Sequence, residues 1–217
     1  MGGTILKTTD GGTTWTPQTS GTIQTLYSVH FVSETTGWVV GSGGTILKTT
    51  NGGTTWTAQT SGTTQPLLSV HFVNAAIGWA VGLGGTILKT TNGGTTWTPQ
   101  TSGTTQLLYS VHFVNAAIGW AVGNSGTILK TTDGGTTWTP QTSGTIQTLY
   151  SVHFVSETTG WVVGSGSLIL KSNFDTIGII DALTIIPEEI TITNTIAEQP
   201  LLKTTVPAHT LKRQRAL

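Results

Sequence analysis

The chain has 217 residues, a formal net charge of zero and 8% charged residues, against about 25% in an average soluble domain. Zero net charge excludes the basic surface typical of a nucleic-acid-binding protein, and the absence of cysteine excludes disulfides and thiolate metal or redox sites. No apolar run is long enough to span a membrane, and Met1 leads directly into Gly-Gly-Thr, so we expect neither a membrane span nor a signal peptide.

A 41-residue repeat dominates the sequence, and four copies occupy residues 3–43, 44–84, 85–125 and 126–166. Residues 126–166 repeat residues 3–43 without a single change. Residues 167–171 resemble the start of a fifth copy. We therefore predict a repeat domain over residues 1–171 and a non-repeat tail over residues 172–217, with a capping or assembly role.

Each repeat predicts four short strands. The first complete set of four runs from the first copy into the second. It comprises residues 26–32, 37–41, 45–50 and 54–57, separated by polar or glycine-rich segments. Asn51-Gly52 is a strong hairpin signal, because type I′ turns need positive φ. Four strands and three turns in about 40 residues are typical of one propeller blade. We therefore predict an all-β propeller of four-stranded blades, with a β-solenoid as the less favoured alternative.

The two ends of the repeat array contain incomplete sets of strands. Residues 3–20 supply only a third and a fourth strand, and residues 146–166 supply only a first and a second. Together they predict a fourth blade that closes a four-blade ring. A dimer that completes a larger ring, and an open arc capped by the tail, fit the same count. Residues 167–171 compete with the N-terminal residues for the third-strand position of that blade.

Residues 8–15, TTDGGTTW, resemble the Asp-box or BNR repeat, which recurs at residues 49–56, 90–97 and 131–138. The wider unit, SVHFV through GWAVG to GGTILK, is similar to repeats of the photosystem II stability/assembly factor-like family. This resemblance implies a β-propeller that binds other proteins. It also implies an extracytoplasmic location, in the periplasm, the thylakoid lumen or outside the cell.

The box residues are predicted to have structural roles. The acidic or amide oxygen accepts hydrogen bonds from its own turn, the glycine adopts positive φ and the tryptophan covers apolar surface. Asparagine replaces aspartate in two copies, which keeps the acceptor and removes the charge that calcium needs. We therefore favour a turn over a metal site. The residues are Asp10, Gly12, Trp15, Asn51, Gly53, Trp56, Asn92, Gly94, Trp97, Asp133, Gly135 and Trp138.

One histidine and one lysine per repeat are further candidates. If the first strands line the axis, His30, His71, His112 and His153 could form a metal-binding ring, but we favour packing between blades with one ring nitrogen hydrogen-bonded. The repeated lysines are predicted to be solvated edge charges, with a weakly basic ring as the alternative. They are Lys7, Lys48, Lys89 and Lys130.

No catalytic constellation stands out. Sialidases, which contain Asp-boxes, need an arginine cluster for the substrate carboxylate, and the only arginines here, Arg213 and Arg215, lie in the tail. The repeats also lack an obvious carboxylate pair. We predict no enzyme activity, no cofactor and no nucleic-acid partner. The favoured function is a scaffold that binds another protein or itself. The alternatives are an extracellular carbohydrate- or surface-binding propeller, or a purely structural, duplicated or designed propeller without a specific ligand.

Overall fold

The repeats fold into a series of antiparallel sheets, and the computed structural model describes residues 2–173, 179–186 and 189–193. The first two strands, β1 (Ile5–Lys7) and β2 (Thr16–Gln18), form a separate two-stranded sheet, which we call the N-terminal hairpin. Four larger sheets follow, which we call blades 1 to 4. Among the described residues, no helix is long and apolar enough to cross a membrane.

Blades 1, 2 and 3 each contain four strands, which pair in chain order. Blade 1 consists of β3 (Leu26–Phe31), β4 (Gly37–Gly41), β5 (Ile46–Thr49) and β6 (Thr57–Gln59). Blade 2 consists of β7 (Leu67–Phe72), β8 (Gly78–Gly82), β9 (Ile87–Thr90) and β10 (Thr98–Gln100). Blade 3 consists of β11 (Leu108–Phe113), β12 (Gly119–Gly123), β13 (Ile128–Thr131) and β14 (Thr139–Gln141). The predicted all-β fold of four-stranded sheets is confirmed.

Blade 4 departs from this pattern, because it has five strands. They are β15 (Leu149–Phe154), β16 (Gly160–Gly164), β17 (Leu168–Asn173), β18 (Ile179–Ile186) and β19 (Glu189–Thr193). In this sheet β17 takes the third-strand position beside β16, with Trp161 opposite Lys171. The N-terminal hairpin therefore does not complete blade 4, and the pairing predicted for a closed four-blade ring is replaced by the pairing of β16 with β17.

The predicted fourth strand of each repeat begins too early in the sequence. Residues 54–56 were expected in a strand, whereas β6 begins at Thr57. The reason is local hydrogen bonding, since the Thr55 N–H donates to Asn51 Oδ1 (3.0 Å) and holds these residues in the preceding turn. β6 therefore starts only after the residues whose N–H groups are hydrogen-bonded within the turn.

The core lies between blades rather than within them. The ring of Trp38 in β4 stacks on Phe72 in β7 of the next blade, with centroids 3.5 Å apart and planes 8° apart. The same stack recurs at the next two boundaries, with centroid distances of 3.4 Å and 3.5 Å. These pairs are Trp79 with Phe113 and Trp120 with Phe154. Each blade therefore buries its apolar faces only against its neighbours.

A glycine precedes each stacked tryptophan for a steric reason. A Cβ on Gly78 would lie 2.4 Å from the ring of Phe72, which occupies the space above that backbone. Any larger residue at this position would push Phe72 away from Trp38.

The innermost strands of neighbouring blades are joined by side chains. The Val70 N–H donates to Ser28 Oγ of the preceding blade at 3.3 Å, and the Val111 N–H donates to Ser69 Oγ at 3.2 Å. Blade-to-blade cohesion therefore combines one aromatic stack with isolated hydrogen bonds, without a continuous backbone ladder.

Trp97 provides a test of this packing. It is 8% exposed, meets Phe72 of its own blade edge to face and belongs to the same buried cluster as Trp38 of blade 1, whereas the equivalent Trp15 of the hairpin is 57% exposed. We expect Trp97→Ala to lower the free energy of unfolding by about 3–5 kcal/mol. Thr98→Ala, at the exposed next position in β10, serves as the control and should cost less than about 0.5 kcal/mol. Urea unfolding measures both, and equal losses would contradict packing between blades.

Candidate functional site

The four box turns share one set of hydrogen bonds around a threonine hydroxyl, and this threonine is buried in every copy except the first. In the last copy, Thr131 Oγ1 donates to Asp133 Oδ1 (2.9 Å) and accepts from the Gly135 N–H (2.8 Å). The Thr137 N–H donates to Asp133 Oδ1 at 2.9 Å. These bonds satisfy the donors of the turn within the turn itself, while Gly135 adopts a φ of 92°.

Aspartate and asparagine build the same turn because a threonine hydroxyl can both donate and accept. Thr137 Oγ1 donates to Asp133 Oδ2 at 2.6 Å. In the second copy the direction is reversed, and Asn51 Nδ2 donates to Thr55 Oγ1 at 2.9 Å. The geometry of the turn therefore does not depend on the carboxylate charge.

The two box aspartates are stabilised in their ionised form. Hydrogen bonds from the side chain and backbone of Thr14 lower the pKa of Asp10 to about 2, and those from Thr137 lower the pKa of Asp133 to about 2. Both carboxylates are thus fixed as acceptors at neutral pH, with little capacity to act as general acids.

The repeated histidines lie side by side along the innermost strands. Successive ring centroids are 4.7, 4.8 and 4.5 Å apart, in the order His30, His71, His112, His153. His112 Nδ1 accepts the N–H of Phe154 in the next blade at 3.4 Å. Burial, together with the neighbouring imidazoles, lowers the pKa of His71 to about 3 and that of His112 to about 4. These two rings are therefore neutral at physiological pH.

The structure brings the histidines together but uses at least one of their nitrogens for blade packing. The described residues contain no group of three or more His, Cys, Asp or Glu side chains arranged to hold a metal ion.

The repeated lysines cover the stacked tryptophans. Lys48 lies directly opposite Trp38 in the sheet, and its Nζ is 5.3 Å from the centroid of the indole. The equivalent ammonium groups lie at 5.8 Å from Trp79 and 5.4 Å from Trp120. Lys7 Nζ donates to the Gly52 carbonyl of blade 1 at 2.9 Å. The lysines therefore support the aromatic layer and the blade boundary.

One rim of the structure carries an aromatic row that the sequence analysis did not single out. It contains the second residue of each innermost strand, and we call it the rim row: Tyr27, Leu68, Tyr109 and Tyr150. The rings of Tyr109 and Tyr150 meet edge to face with centroids 5.2 Å apart. Tyr27 and Tyr150 are each about half exposed. Exposed tyrosines in register supply a broad, rigid contact surface.

The second repeat makes the middle of the rim row apolar. In blade 1 the Tyr27 hydroxyl hydrogen-bonds Ser42 Oγ (2.8 Å) at the start of a 3-10 turn. Blade 2 has Leu68 and Leu83 at these two positions, and Leu83 is 42% exposed. In the sequence, this apolar centre is visible only as leucine at these two positions of blade 2, a difference small enough to miss.

A groove separates the N-terminal hairpin from the exposed face of blade 1. It has a volume of about 500 Å³, and its walls include Leu6, Trp15, Val29 and Phe31. The groove lies where a complete blade would have its first and second strands, because the hairpin supplies only the outer pair.

Comparison with known proteins identifies one family. The model of the family described as photosynthesis system II assembly factor YCF48 matches residues 1–59, 18–101 and 99–176. No curated protein sequence matches the chain.

Solved structures share the fold. The chain is 22% identical to a structure of YCF48 bound to D1 peptide, with a TM-score of 0.62 over 77% of this chain and 55% of that one. It is 21% identical to YCF48 from Cyanidioschyzon merolae, with a TM-score of 0.66 over 81% and 65%. An ancestral GH74 enzyme is 15% identical, with a TM-score of 0.68 over 82% and 28%. The chain thus spans less than two thirds of each YCF48 structure, and at these identities the likeness concerns the fold alone.

The box turn can be tested at its buried hydroxyl. Thr131 is 1% exposed, so Thr131→Val leaves the Gly135 N–H buried without its acceptor. We expect a loss of about 1–3 kcal/mol in the free energy of unfolding. Thr139→Val, the same change at an exposed position in β14, should stay within about 0.5 kcal/mol. A negligible effect of Thr131→Val in urea unfolding would show that this hydroxyl does not organise the turn.

The histidine row predicts acid sensitivity. The pKa of His71 is lower in the folded chain than its ordinary value of 6.5, so the unfolded chain binds more protons below pH 6.5 and stability falls as the pH decreases towards about 3. His71→Asn retains an acceptor near the position of Nδ1 but cannot be protonated. Between pH 7 and pH 5 we expect the unchanged chain to lose about 1–2 kcal/mol more than this variant in urea unfolding. Parallel pH profiles would contradict a buried neutral imidazole.

Proposed function

Because the chain belongs to the photosynthesis system II assembly factor YCF48 family, we propose that it is a non-catalytic β-propeller scaffold that binds another protein. The rim row is the observation that carries this proposal. It combines half-exposed tyrosines with an apolar centre at Leu68 and Leu83, the composition typical of protein-binding surfaces.

The chemistry of the rim row favours an extended, largely uncharged peptide. Tyrosine rings offer apolar faces together with hydroxyl groups, and they lose little conformational entropy on binding. The repeats supply one tyrosine or leucine per blade, so the row presents evenly spaced contacts along one direction. A segment with apolar or aromatic side chains can contact several blades at once.

The acidic residues of the repeats support a non-catalytic role. They occur at four single positions, Asp10, Glu34, Asp133 and Glu157. Both aspartates are engaged in box turns, and Glu157 Oε1 accepts from Asn115 Nδ2 at 3.0 Å. Glycoside hydrolysis requires two carboxyl groups that face one bond, and this arrangement does not favour it.

We also propose an extracytoplasmic location, in the periplasm, the thylakoid lumen or outside the cell. Family membership supports this proposal. The structure of a family relative with a D1 peptide suggests such a peptide as the first ligand to test.

A peptide titration tests the proposal. A fluorescently labelled D1 peptide should bind the chain saturably, as measured by anisotropy. Leu83→Asp places a charge in the apolar centre of the rim row, and we expect it to weaken binding at least about tenfold. Thr98→Asp makes the same charge change on the exposed outer strand of blade 2 and should leave binding unchanged.

The result can fail in two informative ways. Equal weakening by both variants would place the site elsewhere. If the chain binds neither this peptide nor peptides from periplasmic and thylakoid fractions, but saturably binds a soluble polysaccharide, the carbohydrate-binding alternative replaces the scaffold. No saturable binding to any of them would favour a purely structural propeller.

A further inference from the structure

The two ends of the blade series expose opposite halves of the interface that joins its blades. At each internal boundary, a tryptophan of the second strand lies against a phenylalanine of the next first strand, as for Trp79 and Phe113. Trp38, Trp79 and Trp120 are at most 1% exposed. The side of a blade that packs against the following blade therefore carries a tryptophan, and we call it the tryptophan face. The side that packs against the preceding blade carries a phenylalanine, and we call it the phenylalanine face.

Blade 4 exposes a tryptophan face. Trp161 is 38% exposed and Val163 is 42% exposed, although both positions are buried in the three preceding blades. Ser151 and His153 are exposed on the same blade. In the preceding blade, the equivalent Ser110 accepts the N–H of Val152 at 3.3 Å. This end of the series therefore exposes both the tryptophan and the serine hydroxyl that a following blade contacts at an internal boundary.

Blade 1 exposes the matching phenylalanine face. Phe31 is 41% exposed and Val29 is 59% exposed, whereas the equivalent Phe72 and Val70 of blade 2 are almost fully buried. The Val29 N–H holds the same position as the Val70 N–H, which donates to a serine of the preceding blade. Among the residues that the structure describes, no first and second strands of a preceding blade lie beside blade 1.

The N-terminal hairpin fixes where those two strands would lie. Lys7 Nζ contacts the Gly52 carbonyl of blade 1, and a Cβ built on Gly52 would lie 3.2 Å from this nitrogen. Lys48 of blade 1 approaches Gly93 of blade 2 in the same way, with a corresponding distance of 2.8 Å. The hairpin therefore occupies the third- and fourth-strand positions of a preceding blade, and the groove of about 500 Å³ beside it occupies the first- and second-strand positions.

In the described part of the chain, no strand pairs with the edge of the hairpin that faces the groove. β1 pairs with β2 on one side, whereas every third strand in blades 1 to 3 pairs with a second strand on the other. The repeats that supply the two ends are identical, since residues 3–43 and residues 126–166 have the same sequence. β16 therefore has the same sequence, GWVVG, as β4. Since β4 pairs with β5, whose Ile-Leu-Lys sequence is that of β1, β16 is suited to pair with β1.

We propose that a second copy of this chain fills the groove with its β15–β16 strand pair. In this arrangement Trp161 of one copy stacks on Phe31 of the other. β16 pairs with β1 in the register that β4 makes with β5, so that Trp161 faces Lys7, as Trp38 faces Lys48. β17, which shares the sequence Ile-Leu-Lys with β1, gives up its position beside β16. The same exchange at the opposite ends closes a two-copy ring of blades.

Reciprocal exchange is favourable because it buries apolar surface at both ends. Trp161, Val163, Val29 and Phe31 each regain the contacts that their equivalents make at internal boundaries. The exchange of β17 for β1 replaces one antiparallel pairing by another, so it costs little backbone hydrogen bonding. Tyr27 of the rim row also lines the groove, whereas Leu68 and Leu83 at the centre of the row do not, so the apolar centre can be varied without changing either end face.

Light scattering with paired variants tests the proposal. The unchanged chain should have a mass twice its 22.7 kDa at micromolar concentration, and Trp161→Asp and Phe31→Asp should each be monomeric. A mixture of the two variants should recover the dimer, because one copy still offers Trp161 and the other still offers Phe31. Leu83→Asp, on the rim, should remain dimeric. A monomeric unchanged chain, or a mixture that stays monomeric, would overturn the proposal.

Disulfide trapping tests the register even if an aspartate variant fails to fold. The chain has no cysteine, so Leu6→Cys in one copy and Val162→Cys in another should form a covalent dimer on oxidation, because the proposed pairing places these residues opposite each other. Leu47→Cys with Val162→Cys is the matched control and should not, since Leu47 already faces Val39 within blade 1. A disulfide within one monomeric chain carrying both Leu6→Cys and Val162→Cys would instead show self-closure and overturn the role of a second copy.

Discussion

The structure depends on the stack of a tryptophan on the phenylalanine of the following blade. A four-stranded sheet of about 30 residues has two apolar faces and little interior of its own. The Trp38–Phe72 stack and its two equivalents join these faces in pairs, and the glycine before each tryptophan gives the phenylalanine room. The remaining repeat features support this layer. Lysines cover the indoles, serines link the inner strands, and box turns hold the outer hairpins.

Because the repeats are nearly identical, the candidate binding surfaces lie where one repeat differs from the others or is incomplete. At the internal boundaries and in the box turns, the repeated polar side chains have local partners, such as the Phe154 N–H for His112 and the Thr137 N–H for Asp133. The surfaces suited to binding arise where a repeat differs or is incomplete. The first is the rim at Leu68 and Leu83, and the second is the pair of end faces around Phe31 and Trp161. The proposed protein binding assigns these surfaces to partners, since a propeller fold by itself leaves the choice of ligand to a few side chains.

The sequence predicted the sheets well because their signals are local. The 41-residue period and the Asn-Gly and Asp-Gly turns define four strands per repeat, and β3 to β5 lie within a residue of the expected bounds. The start of β6 could not be predicted in this way, since the box turn retains Thr55 through a side-chain hydrogen bond. The pairing of β16 was equally undetermined, because β1 and β17 both contain Ile-Leu-Lys and differ only in where they lie along the chain. The low pKa of His71 depends first on its burial and then on histidines from the three other blades, which no local pattern reveals.

The way in which the inner strands are linked has a consequence for curvature. Flat aromatic contacts tolerate small rotations of one ring over the other, and a single hydroxyl-to-amide bond acts as a pivot rather than a brace. The angle between successive blades can therefore adapt more readily than it could across a continuous backbone ladder. A gene that gains or loses a copy of this unit needs no new residues at the boundaries between blades, since a small change of angle at each boundary accommodates the new number of blades. This adaptability makes unequal duplication a tolerable event for such a protein, and the identity of residues 3–43 and 126–166 is the record that such an event would leave.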